Sequence, residues 1–160
     1  MKKAVFLIFL IFLFSCREKE ESITKYAGYI LVDKEGKEIP IPKDKLIFVN
    51  FMAYSCSSCM KEIPVIKKVL REKQYKDLFA FIGCVIDADK NDLSDPFFPM
   101  YTCNRSNFVR FPVSGTPTTY IITPDGKKLI VIFGAVTEEN LRKYLNTAIK
   151  KYEKAGKKSL

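Results

Sequence analysis

The sequence predicts an α/β fold, a mixed central β-sheet flanked by helices, with an added β-hairpin at its N-terminal end. Three observations carry that expectation. The runs Leu46 to Phe51 and Leu78 to Ile86 are apolar on both faces, as strands buried inside a sheet are. A stretch from Ser57 to about Lys73 places Ile63, Ile66, Val69 and Leu70 at helical spacing. Near the end, Thr119 to Ile122 and Lys128 to Phe133 flank Pro124-Asp125-Gly126-Lys127, a turn that joins an antiparallel pair to the preceding strands.

The elements follow in order from residue 1. Lys2 and Lys3 precede an unbroken apolar run from Ala4 to Phe14, the layout of a secretory signal and too short to span a bilayer comfortably. The run ends in Leu13-Phe14-Ser15-Cys16, which resembles the lipobox of bacterial lipoproteins. That resemblance implies a signal peptide over residues 1–15, cleavage before Cys16, a lipid on its thiol and a stable membrane anchor of two or three acyl chains. An ordinary signal peptide cut nearby and an uncleaved anchor are the alternatives. Residues 16–25 are charged and read as a flexible tether. A single domain is expected over residues 26–154, with a basic C-terminal tail at 155–160.

Inside that domain, Tyr26 to Val32 and Lys37 to Ile41 form the N-terminal hairpin around Asp33-Lys34-Glu35-Gly36, where the glycine allows a positive φ. Pro64 interrupts the first helix and should kink it. Asp87 to Pro99 is acidic and punctuated by proline, a loop, and Thr102 to Arg110 is expected to be a short helix leading to Phe111-Pro112-Val113. Thr137 should cap a last helix that runs to about Lys154, with Glu138 and Glu139 in its first turn and lysines in its last, as the macrodipole favours.

Composition narrows the chemistry. The chain carries a formal charge of +9 and no histidine, so every histidine-dependent triad and metal set is excluded. Any reaction must run on cysteine, carboxylate, lysine or tyrosine. The C-terminal lysines read as a solvated helix face and tail, with anionic lipid headgroups as an alternative contact. No aromatic-interleaved basic patch points to nucleic acid.

Cysteine is the candidate. Cys56-Ser57-Ser58-Cys59 directly follows a buried strand and opens a helix. A thiol at a helix N-terminus faces unsatisfied backbone N–H groups and the positive end of the dipole, which stabilises its thiolate. Cys56 is therefore expected to attack first. Cys59, one turn on, is placed to resolve the mixed disulfide. Half of a zinc site and a structural disulfide are the alternatives; zinc would need two more ligands, which only Cys84 and Cys103 could supply as thiolates.

Taken in order, these segments resemble the TlpA/ResA-type thioredoxin-like proteins, extracytoplasmic thiol-disulfide proteins of bacteria. Val49-Asn50-Phe51 leads through Met52-Ala53-Tyr54 to the Cys-x-x-Cys, and Cys59-Met60-Lys61-Glu62-Ile63-Pro64 matches the family's C-x-x-E-x-P. Gly115-Thr116-Pro117-Thr118-Thr119-Tyr120, then Pro124-Asp125-Gly126-Lys127 and Gly134, match its later segments. The likeness spans roughly residues 26 to 150. It implies a thioredoxin fold, a cis-proline at Pro117 facing the disulfide, and a Thr116 backbone offered to an extended substrate segment. It also implies that Glu62 is the carboxylate beneath the site, a base for Cys59; an exposed first-turn glutamate is the alternative. Ser55 and Ser57, either side of Cys56, are expected to meet substrate. Met52 and Ser55 stand where the family carries tryptophan, and Ser57-Ser58 lacks the family's proline, which alters substrate choice and reduction potential.

Cys84 and Cys103 leave three readings open: a second, structural disulfide, a relay with the Cys56–Cys59 pair, or free buried thiols. The function the resemblance implies is a membrane-tethered thiol:disulfide oxidoreductase on the periplasmic side. It would reduce disulfides in exported cysteine-containing proteins, apocytochromes c among them, and would be recharged by a membrane electron-donor protein. It would use no cofactor and no metal. A peroxiredoxin-like thiol peroxidase shares the fold, but Ser55-Cys56-Ser57 has neither of the threonine and arginine that nucleophile needs nearby. A metal-binding delivery module is the third class.

Overall fold

The computed structural model describes residue 26 and residues 28–156. The expected signal peptide, the lipid site at Cys16, the tether and residues 157–160 of the tail lie outside the described residues. The elements run in the order β1 (Leu46–Met52), α1 (Ser57–Leu70), β2 (Phe79–Val85), β3 (Met100–Thr102), α2 (Asn107–Arg110), β4 (Thr118–Ile122), β5 (Lys128–Phe133) and α3 (Glu138–Gly156). The strands form one five-stranded sheet in the order β3-β2-β1-β4-β5. β1 pairs in parallel with β2 and antiparallel with β4, so it lies at the centre, and β4 and β5 close the far edge as an antiparallel pair.

Alternation along β1 sorts the core into two layers. Phe48 faces α1 and α3 and packs with Ile66, Val69, Phe81, Ile121, Leu141 and Leu145. Ile47, Val49 and Phe51 face the other way, toward Ile82, Tyr120, Phe111, Leu31 and Ile39. That second face is covered by the N-terminal segment and the single-turn α2 rather than by a long helix. The N-terminal hairpin is compact, reduced to one antiparallel bridge, Val32 with Glu38, around a turn in which Gly36 has φ of 80°.

Local boundaries differ from expectation at four places. The three-residue strand β3 was hidden in sequence because it is too short to show a period; it is an edge strand fixed by pairing with Gly83 to Val85. A side chain at Gly83 would run into the Met100 thioether, so the open space over this glycine is filled by the Met100 side chain of β3. The helix expected from Thr102 covers only Asn107 to Arg110, because Thr102 and Cys103 extend the sheet edge, where the Cys103 N–H donates to the Val85 carbonyl at 2.9 Å. α1 continues through Pro64, and α3 runs to Gly156, two residues into the expected tail.

Cys84 and Cys103 are joined as a disulfide across the β2–β3 edge, 19 residues apart in sequence. Asn107 secures the same corner: its Nδ2 donates to the Val32 carbonyl at 2.8 Å, its Oδ1 accepts the Val32 N–H at 2.9 Å, and Nδ2 lies 3.4 Å from Cys103 Sγ. The bond closes a loop of about 20 residues, for which chain-entropy arguments give roughly 3 kcal/mol. Replacing Cys84 and Cys103 together by alanine should lower the urea unfolding free energy by about 2–4 kcal/mol without abolishing the fold, as read by circular dichroism under non-reducing conditions.

Candidate active site

The end of β1 delivers the redox pair. After Met52 the chain turns tightly, with the Cys56 N–H donating to the Ala53 carbonyl at 3.2 Å, and Cys56 becomes the N-cap of α1 in extended conformation. Its sulfur accepts the Cys59 N–H at 3.3 Å and is bonded to Cys59 Sγ, so the structure holds the oxidised pair. Cys56 is half-buried, whereas Cys59 is wholly inaccessible, packed among Met52 and Val85 with Ile63 against them. Exposure thus separates the two sulfurs that sequence alone separates only by position.

The surroundings bear on thiolate chemistry. Ser58 Oγ lies 3.2 Å from Cys56 Sγ, close enough for its hydroxyl to donate to sulfur. The Thr116 carbonyl oxygen lies 3.5 Å from the same sulfur, and the Thr116–Pro117 bond is cis, with Pro117 buried. Ser55, Ser57 and Ser58 are exposed around it. Thr116 and Pro117 come from the loop before β4, so the centre of the sheet brings together residues sixty positions apart.

Glu62 is buried, at 2 % exposure, one helical turn beyond Cys59 on α1. It is therefore not an exposed first-turn glutamate. Its Oε1 accepts a bond from Asn50 Nδ2 at 2.9 Å and its Oε2 accepts the Val136 N–H at 3.2 Å. Asn50 Nδ2 also donates to Thr119 Oγ1 at 2.9 Å, tying β1, β4, α1 and the segment before α3 to one carboxyl. Burial pushes the Glu62 pKa up, and the bonds from Asn50 and Val136 offset only part of that rise.

Nothing in the sequence marks Ser58 as a site residue, nor Asp87, whose carboxylate accepts the Tyr54 and Ser55 N–H groups. Asn50 carried a signal, a polar residue amid an otherwise apolar strand. Asp87 lies in a stretch that reads only as loop, and nothing local marks its bonds to the turn before Cys56. Cys84 and Cys103 belong to the opposite face of the sheet from Cys59, so the sheet separates the two disulfides. Among the described residues, no three cysteine, aspartate or glutamate side chains gather as a ligand set for a metal ion.

Comparison with known proteins gives the following. A model of the thioredoxin-like domain matches residues 32–149. The thiol-disulfide oxidoreductase ResA of Bacillus cereus is 31% identical over 143 residues, which cover 82% of this chain and 81% of that protein. ResA of Bacillus subtilis is 30% identical over 139 residues, covering 81% and 76%. The crystal structure of StoA from Bacillus subtilis superposes with a TM-score of 0.53 at 16% identity, over 73% of this chain and 95% of that one, a likeness of fold.

The raised Glu62 pKa has a consequence for stability. The folded state holds this proton to higher pH than the unfolded chain, so its contribution is fully present below the ordinary glutamate pKa of about 4.3 and is lost as pH rises through the folded value. Glu62→Gln should flatten the fall in unfolding free energy that begins near about pH 4.3, measured by urea titrations at successive pH values. An equal slope in both proteins would mean that Glu62 titrates in the fold as it does in the unfolded chain.

Proposed function

This chain belongs to the thioredoxin-like family, and from that premise we propose that it is a thiol:disulfide oxidoreductase that reduces disulfides in exported proteins through Cys56 and Cys59. The observation that supports this most is the asymmetry of the pair: a half-buried sulfur at the N-cap of α1 and a wholly buried one behind it. In the reduced protein, the Cys56 thiolate attacks one sulfur of a substrate disulfide. The other substrate sulfur leaves as a thiolate and takes up a proton. Cys59, deprotonated, then attacks Cys56 Sγ, and the second substrate thiolate departs. Two electrons have passed to the substrate, and the enzyme is left as the disulfide.

Each neighbour has a task in that sequence. The first-turn N–H groups of α1 and the Ser58 hydroxyl stabilise negative charge on Cys56. Glu62, buried on the same helix face as Cys59 and raised in pKa, takes the proton that Cys59 must lose, which is general-base work at a pKa brought nearer to neutrality. The Thr116 backbone lies beside Cys56 Sγ, where an extended substrate segment can pair with it. Pro117 packs beneath this contact, while Ser55 and Ser57 border the sulfur from the solvent side.

The setting follows from the N-terminal sequence. A signal peptide over residues 1–15 and a lipid on Cys16 would hold the domain on the outer side of a bacterial membrane by a tether over residues 16–25. Its substrates there are exported cysteine-containing proteins, apocytochromes c among them, and a membrane electron-donor protein of the thiol-relay type would return it to the dithiol form.

Two measurements check the proposal. Cys56→Ser should abolish disulfide reduction, whereas Cys59→Ser should accumulate a mixed disulfide with substrate, visible as a mass increase on non-reducing separation. The Cys56–Cys59 couple, titrated against glutathione or dithiothreitol, should have a potential nearer the thioredoxin value of about −270 mV than the oxidant value of about −120 mV. A potential near the latter would make the protein a disulfide donor.

A further inference from the structure

Asp87 has no part in the exchange described above, yet it holds the turn that leads into it. It follows Ile86, whose N–H donates to the Met52 carbonyl at 2.9 Å and adds a last rung between the ends of β2 and β1. From there, Asp87 Oδ1 accepts the Tyr54 N–H at 2.7 Å and Oδ2 accepts the Ser55 N–H at 2.9 Å. Both oxygens of one carboxylate thus grip the two residues immediately before Cys56. The turn is at the surface, where water would satisfy these N–H groups equally well. What a carboxylate adds over water is a fixed position and a negative charge.

We propose that Asp87 is a positioning residue for Cys56: it fixes the turn that presents the sulfur, and its charge opposes the helix N-terminus, keeping the thiol less acidic and the couple more reducing. This role rests on the redox reading of Cys56 and Cys59. The physics has a definite sign. A thiolate stabilised by α1 alone would favour the dithiol form and make the pair more oxidising; a carboxylate next to the turn works against that stabilisation. The loop around it adds Asp89, Lys90 and Asp92 of mixed sign, and Tyr54 itself is a neutral phenol near pH 7. Asp87 stays charged over the working range, because the Ser55 and Tyr54 N–H groups, against the opposing pull of burial, hold its carboxyl below the ordinary aspartate value.

The test uses the full chain in detergent, reduced, with alkylation of Cys56 followed against pH by peptide mass so that Cys16, Cys84 and Cys103 are scored apart. Asp87→Asn keeps one acceptor oxygen and removes the charge; Asp87→Glu keeps the charge on a longer arm. In Asp87→Asn the acid dissociation constant of Cys56 should rise about threefold, the order of effect that loss of one negative charge beside the turn has in a water-like dielectric. At a pH above the Cys56 pKa the equilibrium with glutathione should move by a similar factor toward the dithiol, and Asp87→Glu should stay close to the unsubstituted protein in both. A thiol acidity unchanged or lowered in Asp87→Asn overturns the role, even if thermal stability falls, since a purely structural clamp would move stability alone. An unsubstituted chain with no reversible Cys56–Cys59 couple overturns the redox reading itself, and the role with it.

Discussion

Strand β1 is buried at all seven of its positions, and that burial on both faces is the constraint from which the site is built. A strand so placed must be paired on both edges to satisfy its backbone, which fixes β2 on one side and β4 on the other. Its C-terminal end then has one exit, the tight turn into α1, and that turn puts Cys56 on a helix N-terminus. Because β4 runs antiparallel beside it, the loop before β4 arrives at the same end of the sheet and sets the Thr116 carbonyl against the sulfur. Strand pairing in the centre thus decides the geometry several ångströms beyond the last paired residue.

The single polar residue of β1 carries that order across the sheet. Asn50 spends its two amide hydrogens on Glu62 and Thr119, so the strand that leads to the cysteines also orients the buried Glu62 carboxyl. Two carboxylates then flank the redox pair in opposite electrostatic conditions. Glu62 is enclosed and its pKa is raised, which suits proton transfer with a buried thiol. Asp87 is exposed and held ionised by backbone N–H groups against the cost of desolvation, which suits a fixed charge. The same side-chain chemistry serves two ends because burial differs.

The second disulfide belongs to the support and not to this centre. It binds β2 to the segment after β3 on the face away from α1, and Asn107 extends the support to Val32 in the N-terminal segment. Among the described residues no long helix covers that face, and a covalent bond and a bidentate amide hold in place the short pieces that do. With the sheet between them, the two disulfides have separate environments.

The sequence by itself determined the strand and helix order, the antiparallel closing pair, and the redox pair at the start of a helix. Those follow from local information: apolar runs, 3.6-residue spacing, turn residues, and a Cys-x-x-Cys after a buried strand. It did not reveal β3, which takes its form from pairing with β2 and from the Asp92 bridge to Met100. The partners of Glu62, the pairing of Cys84 with Cys103, the grip of Asp87 on Tyr54 and Ser55, and the contrast in exposure between Cys56 and Cys59 were likewise decided by tertiary structure. Each joins residues distant in sequence or depends on what packs over a side chain. Periodicity states which way a residue points; what it meets there is set by the strand order, and strand order is a property of the whole chain.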